Sequence, residues 1–230
     1  EQRRITAING GVYVLGRAAI ASAPALIATN NAQGEKYLTD AASRILAGGG
    51  AVDAVATQDT WLIAGVNDRA QLSDAGRELN RRIVRAHQLA GVTIQDPATT
   101  WIDATVSIGP DSVILPGTFL RGATTIEGGA EIGPDTTLID CEVGEGAHVR
   151  RTEATLAVIG AGADVGPFAY LRAGTELGSG GKIGAYVETK NAHIGDGSKV
   201  PHLSYVGDAT VGTGTNIGAG TIFANYDGIK

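Results

Sequence analysis

The sequence predicts a parallel β-solenoid built from six-residue units, preceded by a connecting helix and an α/β segment. Three observations carry this prediction. An apolar residue returns about every six positions from Ile102 to Phe223, which matches neither the two-residue period of strands nor the period of helices. A helical period lies before this stretch, and short strand-like and helical runs alternate earlier. We therefore expect three segments, with boundaries at residues 1–67, 68–100 and 101–230.

Short strands and one helix are expected in the first 67 residues. β-branched and aromatic residues predict strands at 5–16, 52–56 and 61–66. Between the first two, a helix is expected over 41–47, with Thr39 or Asp40 as its N-cap and the glycines that follow as its end. This alternation is typical of an α/β domain.

A long helix is predicted to connect this segment to the solenoid. Between residues 67 and 90 the apolar and small residues share one helical face, which consists of Leu72, Gly76, Leu79, Ile83, Ala86 and Ala90.

The solenoid is predicted from its apolar ladder. A small residue stands four places after many of the apolar ones, at Ser112, Thr118, Thr124, Ala130, Thr136, Ala147 and Ala163. One inward aliphatic side chain and one small partner suit a short strand followed by a bend, and three such units would make one triangular coil. The period slips near Cys141, Thr155 and Glu188, where we expect small loops or adjusted corners.

Composition limits the function classes. The 230 residues include 34 glycines, which suits a fold dense in turns, and their net charge is −6, which argues against a general role on nucleic acids or membrane surfaces. The single cysteine, Cys141, fits a reducing compartment, so a cytoplasmic location is expected. The chain has no methionine and no apolar leader, and we expect it to be a fragment of a longer protein.

Several motifs together resemble one bacterial family. INGGVY, NNAQGEKYLTD, AGVNDRAQL and LAGVTIQDPATTWID precede the six-residue repeats. In this order they are similar to the bifunctional N-acetylglucosamine-1-phosphate uridyltransferases/glucosamine-1-phosphate N-acetyltransferases. The resemblance implies the C-terminal part of a Rossmann-like domain, then a left-handed β-helix that assembles into a homotrimer. It also implies acetyl-CoA as co-substrate, Mg²⁺ for uridyl transfer, and UTP and the two sugar phosphates as substrates. The chain would be truncated at both ends, so that by itself it would lack uridyl transfer and acetylate weakly.

The resemblance implies an acetyl-transfer site in the later coils. His202, in KVPHLSYVGD, would be the general base, and Glu188 would orient or polarise its imidazole. Arg172 and Lys190 would bind the sugar phosphate; they are eighteen positions apart, one predicted coil, which could place them on the same side. The remaining matched positions are those for the amino sugar, Tyr205, Asn216 and Asn225, and those for acetyl-CoA, Ala219 and Tyr226.

The resemblance also implies part of a uridyl-transfer site. Asn67 would touch the metal and the nucleotide sugar, although an asparagine before a helix is also a common N-cap. Asn9 would bind the sugar nucleotide, with Gly10 standing where threonine is expected. Glu35 and Tyr37 would line the same pocket.

Judged from the residues alone, three other functions remain open. The ladder alone fits an acyltransferase that acts on another amine or hydroxyl, with the α/β segment as an appendage. A zinc hydrolyase of the γ-carbonic anhydrase kind would need three imidazoles around the metal, and the ladder histidines are His148, His193 and His202. A non-catalytic trimeric scaffold is the third.

Overall fold

The chain divides into two compact units, Glu1–Ala75 and Gly76–Lys230. A computed structural model describes residues 7–18, 21, 27, 34–226 and 228. The predicted strand at 5–16 therefore lies partly outside the described residues, as does the first part of NNAQGEKYLTD. The predicted segment boundaries stay a prediction.

The first unit contains the predicted short helix, α1 (Thr39–Ala47), which begins slightly earlier than expected. Its N-cap is Leu38, which provides no side-chain hydrogen bond, so Thr39 and Asp40 are the first helical residues and the predicted caps were wrong. The end was predicted correctly, because the backbone N–H of Gly48 bonds to the carbonyl of Arg44 at 3.0 Å.

The predicted strands are not formed in the described part of this unit. Residues 7–16 and 52–56 are irregular, and a 3₁₀ helix, Thr60–Ile63, occupies the third position. Val14 and Val55 are almost fully exposed, at 98% and 99%. A β-branched run becomes a strand only where a neighbouring strand accepts its backbone hydrogen bonds, and the described residues of this unit supply no such neighbour.

The long helix predicted between residues 67 and 90 is confirmed as α2 (Arg69–Leu89). The carboxylate of Asp68 accepts the N–H of Gln71 at 2.8 Å, and the side chain of Gln71 accepts the N–H of Asn67 at 2.7 Å. Asp68 is thus the N-cap residue, and the side chain of Gln71 satisfies the N–H of the residue before it, Asn67.

The face that α2 buries differs from the predicted one. Leu72 and Leu79 are more than half exposed, whereas Asn80 and Val84 are buried. The amide of Asn80 donates to the carbonyl of Thr100 at 2.8 Å and accepts the N–H of Ile102 at 3.0 Å. A buried asparagine therefore satisfies the backbone at the start of the solenoid, which a hydrophobic pattern cannot reveal.

The second unit is a parallel β-solenoid of about seven coils. Each of the first five coils contributes three short strands. The strands are β1 (Thr93–Ile94), β2 (Trp101–Ile102), β3 (Ser107–Ile108), β4 (Val113–Ile114), β5 (Phe119–Arg121), β6 (Thr125–Ile126), β7 (Glu131–Ile132), β8 (Thr137–Ile139), β9 (Glu142–Val143), β10 (His148–Val149), β11 (Thr152–Thr155), β12 (Ala157–Ile159), β13 (Asp164–Val165), β14 (Ala169–Leu171), β15 (Thr175–Leu177), β16 (Lys182–Ala185), β17 (Glu188–Ile194), β18 (Lys199–His202) and β19 (Tyr205–Val211).

The strands stack into three sides. The first side is the seven-stranded sheet β1-β4-β7-β10-β13-β16-β18. The second side runs β2-β5-β8-β11-β14 and the third β3-β6-β9-β12-β15, and the two join because β17 passes through the corner between them. β19 pairs with β17 along its length, so each of the last two coils has one continuous strand across this corner.

The apolar ladder forms the core, as predicted. Ile114, Leu120, Ile132 and Leu138 are completely buried and belong to one continuous cluster, while Ile108, Ile217 and Phe223 pack against it from partly buried positions. The predicted small partners are also fully buried: Ser112, Thr118, Thr124, Ala130, Thr136, Ala147 and Ala163. A hydroxyl at these places turns back to the chain, as where Thr118 donates to the carbonyl of Leu115 at 2.7 Å.

The slips in the period fall at corners rather than at loops. Asp140, Leu156 and Asn191 lie near the three predicted breaks and have positive φ angles of 51°, 49° and 43°. Asparagine and aspartate tolerate this left-handed conformation better than most residues. The slips shorten the coils that contain them, since Val113 pairs with Glu131 eighteen positions later, whereas His148 pairs with Asp164 only sixteen positions later.

Candidate functional site

Arg172 and Lys190 lie in one column on the second side of the solenoid. Leu171 pairs with Thr189, and the N–H of Arg172 bonds to the carbonyl of Thr189 at 2.9 Å, which places Arg172 level with Lys190 on the next coil. The next coil places Gly207 opposite Lys190. Two cationic side chains therefore stand one above the other, and a residue without a side chain follows them.

Arg172 is held by a carboxylate from the next coil. Its Nη1 donates to Oε1 of Glu188 at 3.0 Å, with about two fifths of each side chain exposed. Glu188 was predicted to act on His202, and the described part of the chain contains no hydrogen bond between those two residues. The role proposed for Glu188 from the sequence stays a prediction.

Lys190 faces a second carboxylate, that of Asp208. The ammonium Nζ lies 3.7 Å from Oδ2 of Asp208. The same carboxylate accepts the side-chain amide of Asn191 at 3.0 Å and also that of Asn225. These amides, first that of Asn191 and then that of Asn225, together with the charge of Lys190, hold the pKa of Asp208 below its usual value.

The side chains of Tyr205 and Asn225 lie over Gly207, at the end of this column. The side-chain nitrogen of Asn225 lies 3.1 Å from the hydroxyl of Tyr205. A Cβ added to Gly207 would lie 2.2 Å from that hydroxyl and 2.7 Å from the amide nitrogen of Asn225. Glycine at this position therefore leaves the space that the two polar side chains occupy.

His202 lies close to this column in sequence but across a corner. It ends β18 on the first side, Leu203 turns the corner with φ 45°, and β19 begins at Tyr205 on the second side. The imidazole is exposed, and within the described residues its side chain makes no hydrogen bond. Ser204 fixes the backbone instead, since its hydroxyl donates to the carbonyl of His202 at 2.7 Å.

The other predicted acetyl-transfer residues follow β19. Asn216 pairs with Lys199, which belongs to the first side, so the structure separates Asn216 from the column of Arg172 and Lys190. Ala219 and Tyr226 are exposed, Tyr226 at 71%. The structure thus brings together Arg172, Glu188, Lys190, Tyr205 and Asn225, and it does not bring Asn216 to that group.

The predicted uridyl-transfer residues lie in the first unit and are exposed. The side chain of Asn9 accepts the N–H of Gly11 at 2.9 Å and donates to the hydroxyl of Tyr13. A Cβ at Gly10 would approach Cγ2 of Ile63 to 2.6 Å, so the threonine expected there would require Ile63 to move. Glu35 and Tyr37 are exposed parts of an irregular segment.

The described residues do not by themselves provide a magnesium site. Asn67 could offer one side-chain oxygen, and its amide donates to Gln71 at 3.2 Å. No group of three or more His, Cys, Asp or Glu side chains that could hold a metal occurs in residues 7–18, 21, 27, 34–226 and 228. The ladder histidines do not converge either, because His148 lies on the first side and His193 on the third.

A surface groove of about 410 Å³ lies on the third side, away from the predicted residues. In it, Nδ1 of His193 is 2.9 Å from Oε2 of Glu176. Sequence reasoning also missed Gly207 and Asp208, although they stand two and three positions after Tyr205 in the KVPHLSYVGD motif.

The chain is similar over its whole length to curated proteins named bifunctional protein GlmU. It is 61% identical over 230 residues to that of Clavibacter sepedonicus, 62% over 228 residues to that of Mycolicibacterium gilvum, and 56% over 228 residues to that of Mycobacterium tuberculosis. These alignments cover 99–100% of this chain and 46–47% of the relatives, so the chain spans about half their length. The resemblance read from the motifs is confirmed.

No protein-family model matches the chain. None of the helices in the described residues is long and apolar enough to cross a membrane.

Proposed function

We propose that this chain is part of a cytoplasmic bifunctional enzyme of UDP-N-acetylglucosamine synthesis, and that its solenoid transfers an acetyl group from acetyl-CoA to glucosamine-1-phosphate. The observation that carries the proposal is the column of Arg172 and Lys190, with Tyr205 and Asn225 beside it. The similarity to proteins named bifunctional supports it.

The two cations suit a sugar phosphate. Arginine presents a planar set of N–H donors that can bind two phosphate oxygens at once, whereas the lysine ammonium acts as a compact charge. Arg172 uses only Nη1 on Glu188, and that ion pair is open to water. Exposed ion pairs contribute only about 0–1 kcal/mol, so a phosphate can replace Glu188 at small cost.

His202 supplies the base in this proposal. The amine of glucosamine-1-phosphate attacks the thioester carbonyl, and the imidazole takes a proton from the attacking nitrogen. The tetrahedral intermediate then collapses, the carbon–sulfur bond breaks, and the leaving CoA thiolate takes up the proton that the His202 imidazolium gives back, so that the neutral base is regenerated. The imidazole is exposed and makes no side-chain hydrogen bond to any described residue, so it can approach a substrate amine, as a general base must.

The acetyl-CoA end of the site is assigned to the segment after β19. Ala219 would bind the co-substrate through its backbone, Tyr226 would line it, and Asn216 would contact the amino sugar. Asn216 and the column lie on different sides of one solenoid. We propose that the coils wind left-handed and assemble as a homotrimer, so that a neighbouring copy can complete a site with residues that one copy keeps apart.

The second activity is proposed for the first unit of the parent protein. There, UTP and N-acetylglucosamine-1-phosphate would give UDP-N-acetylglucosamine and pyrophosphate. Asn9 and Asn67 would contact the sugar nucleotide, and Mg²⁺ would neutralise phosphate charge when bound. Asn67 would offer the metal its side-chain oxygen, and within the described residues no group of three or more His, Cys, Asp or Glu side chains stands ready to hold it.

The test uses the full-length protein, incubated with acetyl-CoA and glucosamine-1-phosphate while thiol release is followed. His202→Ala should reduce kcat by about 10²- to 10⁴-fold, the usual contribution of a general base. His148→Ala is the control, because His148 is exposed on the first side and distant in sequence from the predicted site.

The outcomes separate the alternatives. Undiminished thiol release in His202→Ala would refute the base assignment. Turnover with another amine or alcohol, but not with glucosamine-1-phosphate, would favour a different acyltransferase. Trimer formation with neither turnover nor a ligand-induced rise in Tm would favour a scaffold.

A further inference from the structure

We propose that Asp208, which lies outside the predicted site residues, is a positioning residue that fixes the side chains of Lys190 and Asn225 for the sugar phosphate. The proposal deepens the acetyl transfer proposed above and rests on it. Its basis is a carboxylate that contacts both side chains at once.

The contacts of Asp208 divide between its two oxygens. Oδ1 accepts the amide of Asn191 at 3.0 Å. Oδ2 accepts the amide of Asn225 and lies 3.7 Å from Nζ of Lys190. One carboxylate therefore joins the coil that carries Lys190 to the chain segment that follows β19.

The backbone places this carboxylate at a corner. Asp208 follows Gly207, has φ 48° and stands where β19 passes from the second side to the third. Asn191 occupies the same corner one coil earlier with φ 43°. Asparagine and aspartate both tolerate the left-handed conformation. Because Asn191 and Asp208 adopt it at the same corner of consecutive coils, their side chains point toward each other.

The geometry leaves the binding groups of both partners available. The amide nitrogen of Asn225 is engaged by Asp208 and by the hydroxyl of Tyr205, so its two N–H groups are used and its oxygen remains as an acceptor for a sugar hydroxyl or amine. At 3.7 Å, Lys190 is attracted by Asp208 but is beyond normal hydrogen-bond distance. Within the part of the chain that the structure describes, Lys190 makes no closer polar contact, so its N–H donors can turn to a phosphate.

Removing the charge of Asp208 tests the proposal. Asp208→Asn keeps the size of the side chain and its tolerance for the positive φ angle of the corner. The neutral side chain cannot attract Lys190, and it places an amide group opposite the amide of Asn225. In the full-length protein we expect the KM for glucosamine-1-phosphate to rise about tenfold, as for the loss of one charge-assisted hydrogen bond. The KM for acetyl-CoA should change by less than about twofold, a change comparable to that of a neutral surface substitution.

The matched control is Asp140→Asn. Asp140 occupies an earlier corner between the same two sides with φ 51°, and its carboxylate accepts the N–H of Ala123 at 2.8 Å. We expect both KM values to stay unchanged in this variant.

Adding Asp208→Asn to a Lys190→Ala/Asn225→Ala double mutant separates positioning from general stability. If Asp208 acts through Lys190 and Asn225, then Asp208→Asn should add little once both are replaced by alanine, because coupled residues are not additive. A full, additive rise in KM in that background would overturn the proposal. So would an equal loss of kcat and of affinity for both substrates accompanied by a lower Tm, since this indicates a structural role.

Crystal structures of the wild type and of Asp208→Asn keep the inference testable without turnover. If the wild type does not acetylate glucosamine-1-phosphate, the proposed function fails. In that case, displaced Lys190 Nζ and Asn225 Nδ2 atoms in the variant would still support positioning by Asp208. The same two atoms in unchanged places would overturn it.

Discussion

Arg172 donates a 3.0 Å hydrogen bond to Glu188, and the two residues lie on consecutive coils of the same side. Lys190 and Asp208 repeat this arrangement one coil later at 3.7 Å. Each cation of the candidate site is thus paired with an outward carboxylate from the coil above. Both ion pairs are open to water. Each carboxylate therefore orients its cation but does not hold it tightly.

Arg172→Lys should raise the KM for glucosamine-1-phosphate by about 10- to 100-fold, because an ammonium cannot bind two phosphate oxygens in the way that a guanidinium does. Steady-state kinetics of the full-length protein measure this. Arg150→Lys is the control, since Arg150 also pairs with a carboxylate, Asp164 at 2.8 Å, but on the first side. Equal KM values in the wild type and Arg172→Lys would contradict the assignment of Arg172 to the phosphate.

Gly207→Ala should lower kcat/KM by about 10- to 100-fold, since small displacements of positioning groups have effects of this size. The new methyl group would meet the hydroxyl of Tyr205 and the amide of Asn225, which are the far ends of side chains and can move. The fold should therefore persist, with Tm nearly unchanged. In the control, Gly212→Ala, the new Cβ meets nothing nearer than Thr215 Oγ1 at 3.9 Å, so activity should be retained.

Asn80→Ala should lower the free energy of unfolding by about 1–3 kcal/mol, because it leaves the carbonyl of Thr100 and the N–H of Ile102 without their partner. Urea denaturation followed by circular dichroism measures the loss. Arg77→Ala on an exposed part of the same helix should change stability by less than about 0.5 kcal/mol. Similar values for the two variants would contradict the role of Asn80 in satisfying the backbone of Thr100 and Ile102.

Glu78 should make α2 sensitive to acid. Hydrogen bonds from Arg81 and Arg82 lower the pKa of Glu78 from 4.5 to about 2. A carboxylate with a lowered pKa stabilises the folded state above its ordinary pKa, and this contribution is lost as the pH falls through the lowered value. Glu78→Gln should therefore reduce Tm at pH 6, and the difference from the wild type should shrink between pH 4.5 and pH 2. A difference that stays constant over this range would refute the ion pairs as its source.

The apolar period alone determines the solenoid and its core. A side chain that returns every six residues, with a small one four places later, can be buried in only one way when coils stack, so the inward positions of Leu120 and Thr118 follow from the period itself. The eighteen-residue spacing likewise predicts that Arg172 and Lys190 share a side, because register between parallel coils follows coil length.

Other features were decided only by the tertiary structure. The strands predicted at 52–56 and 61–66 depended on pairing partners that local composition cannot supply. Asn80 is buried because the first coil presents an open backbone edge, and no pattern of apolar residues encodes that edge. Glu188 faces Arg172 because the register of two coils brings them together across sixteen positions, and Asp208 meets Lys190 and Asn225 for the same reason. Periodicity determines which residues point inward, whereas the partners of the outward ones depend on how corners and registers align neighbouring coils.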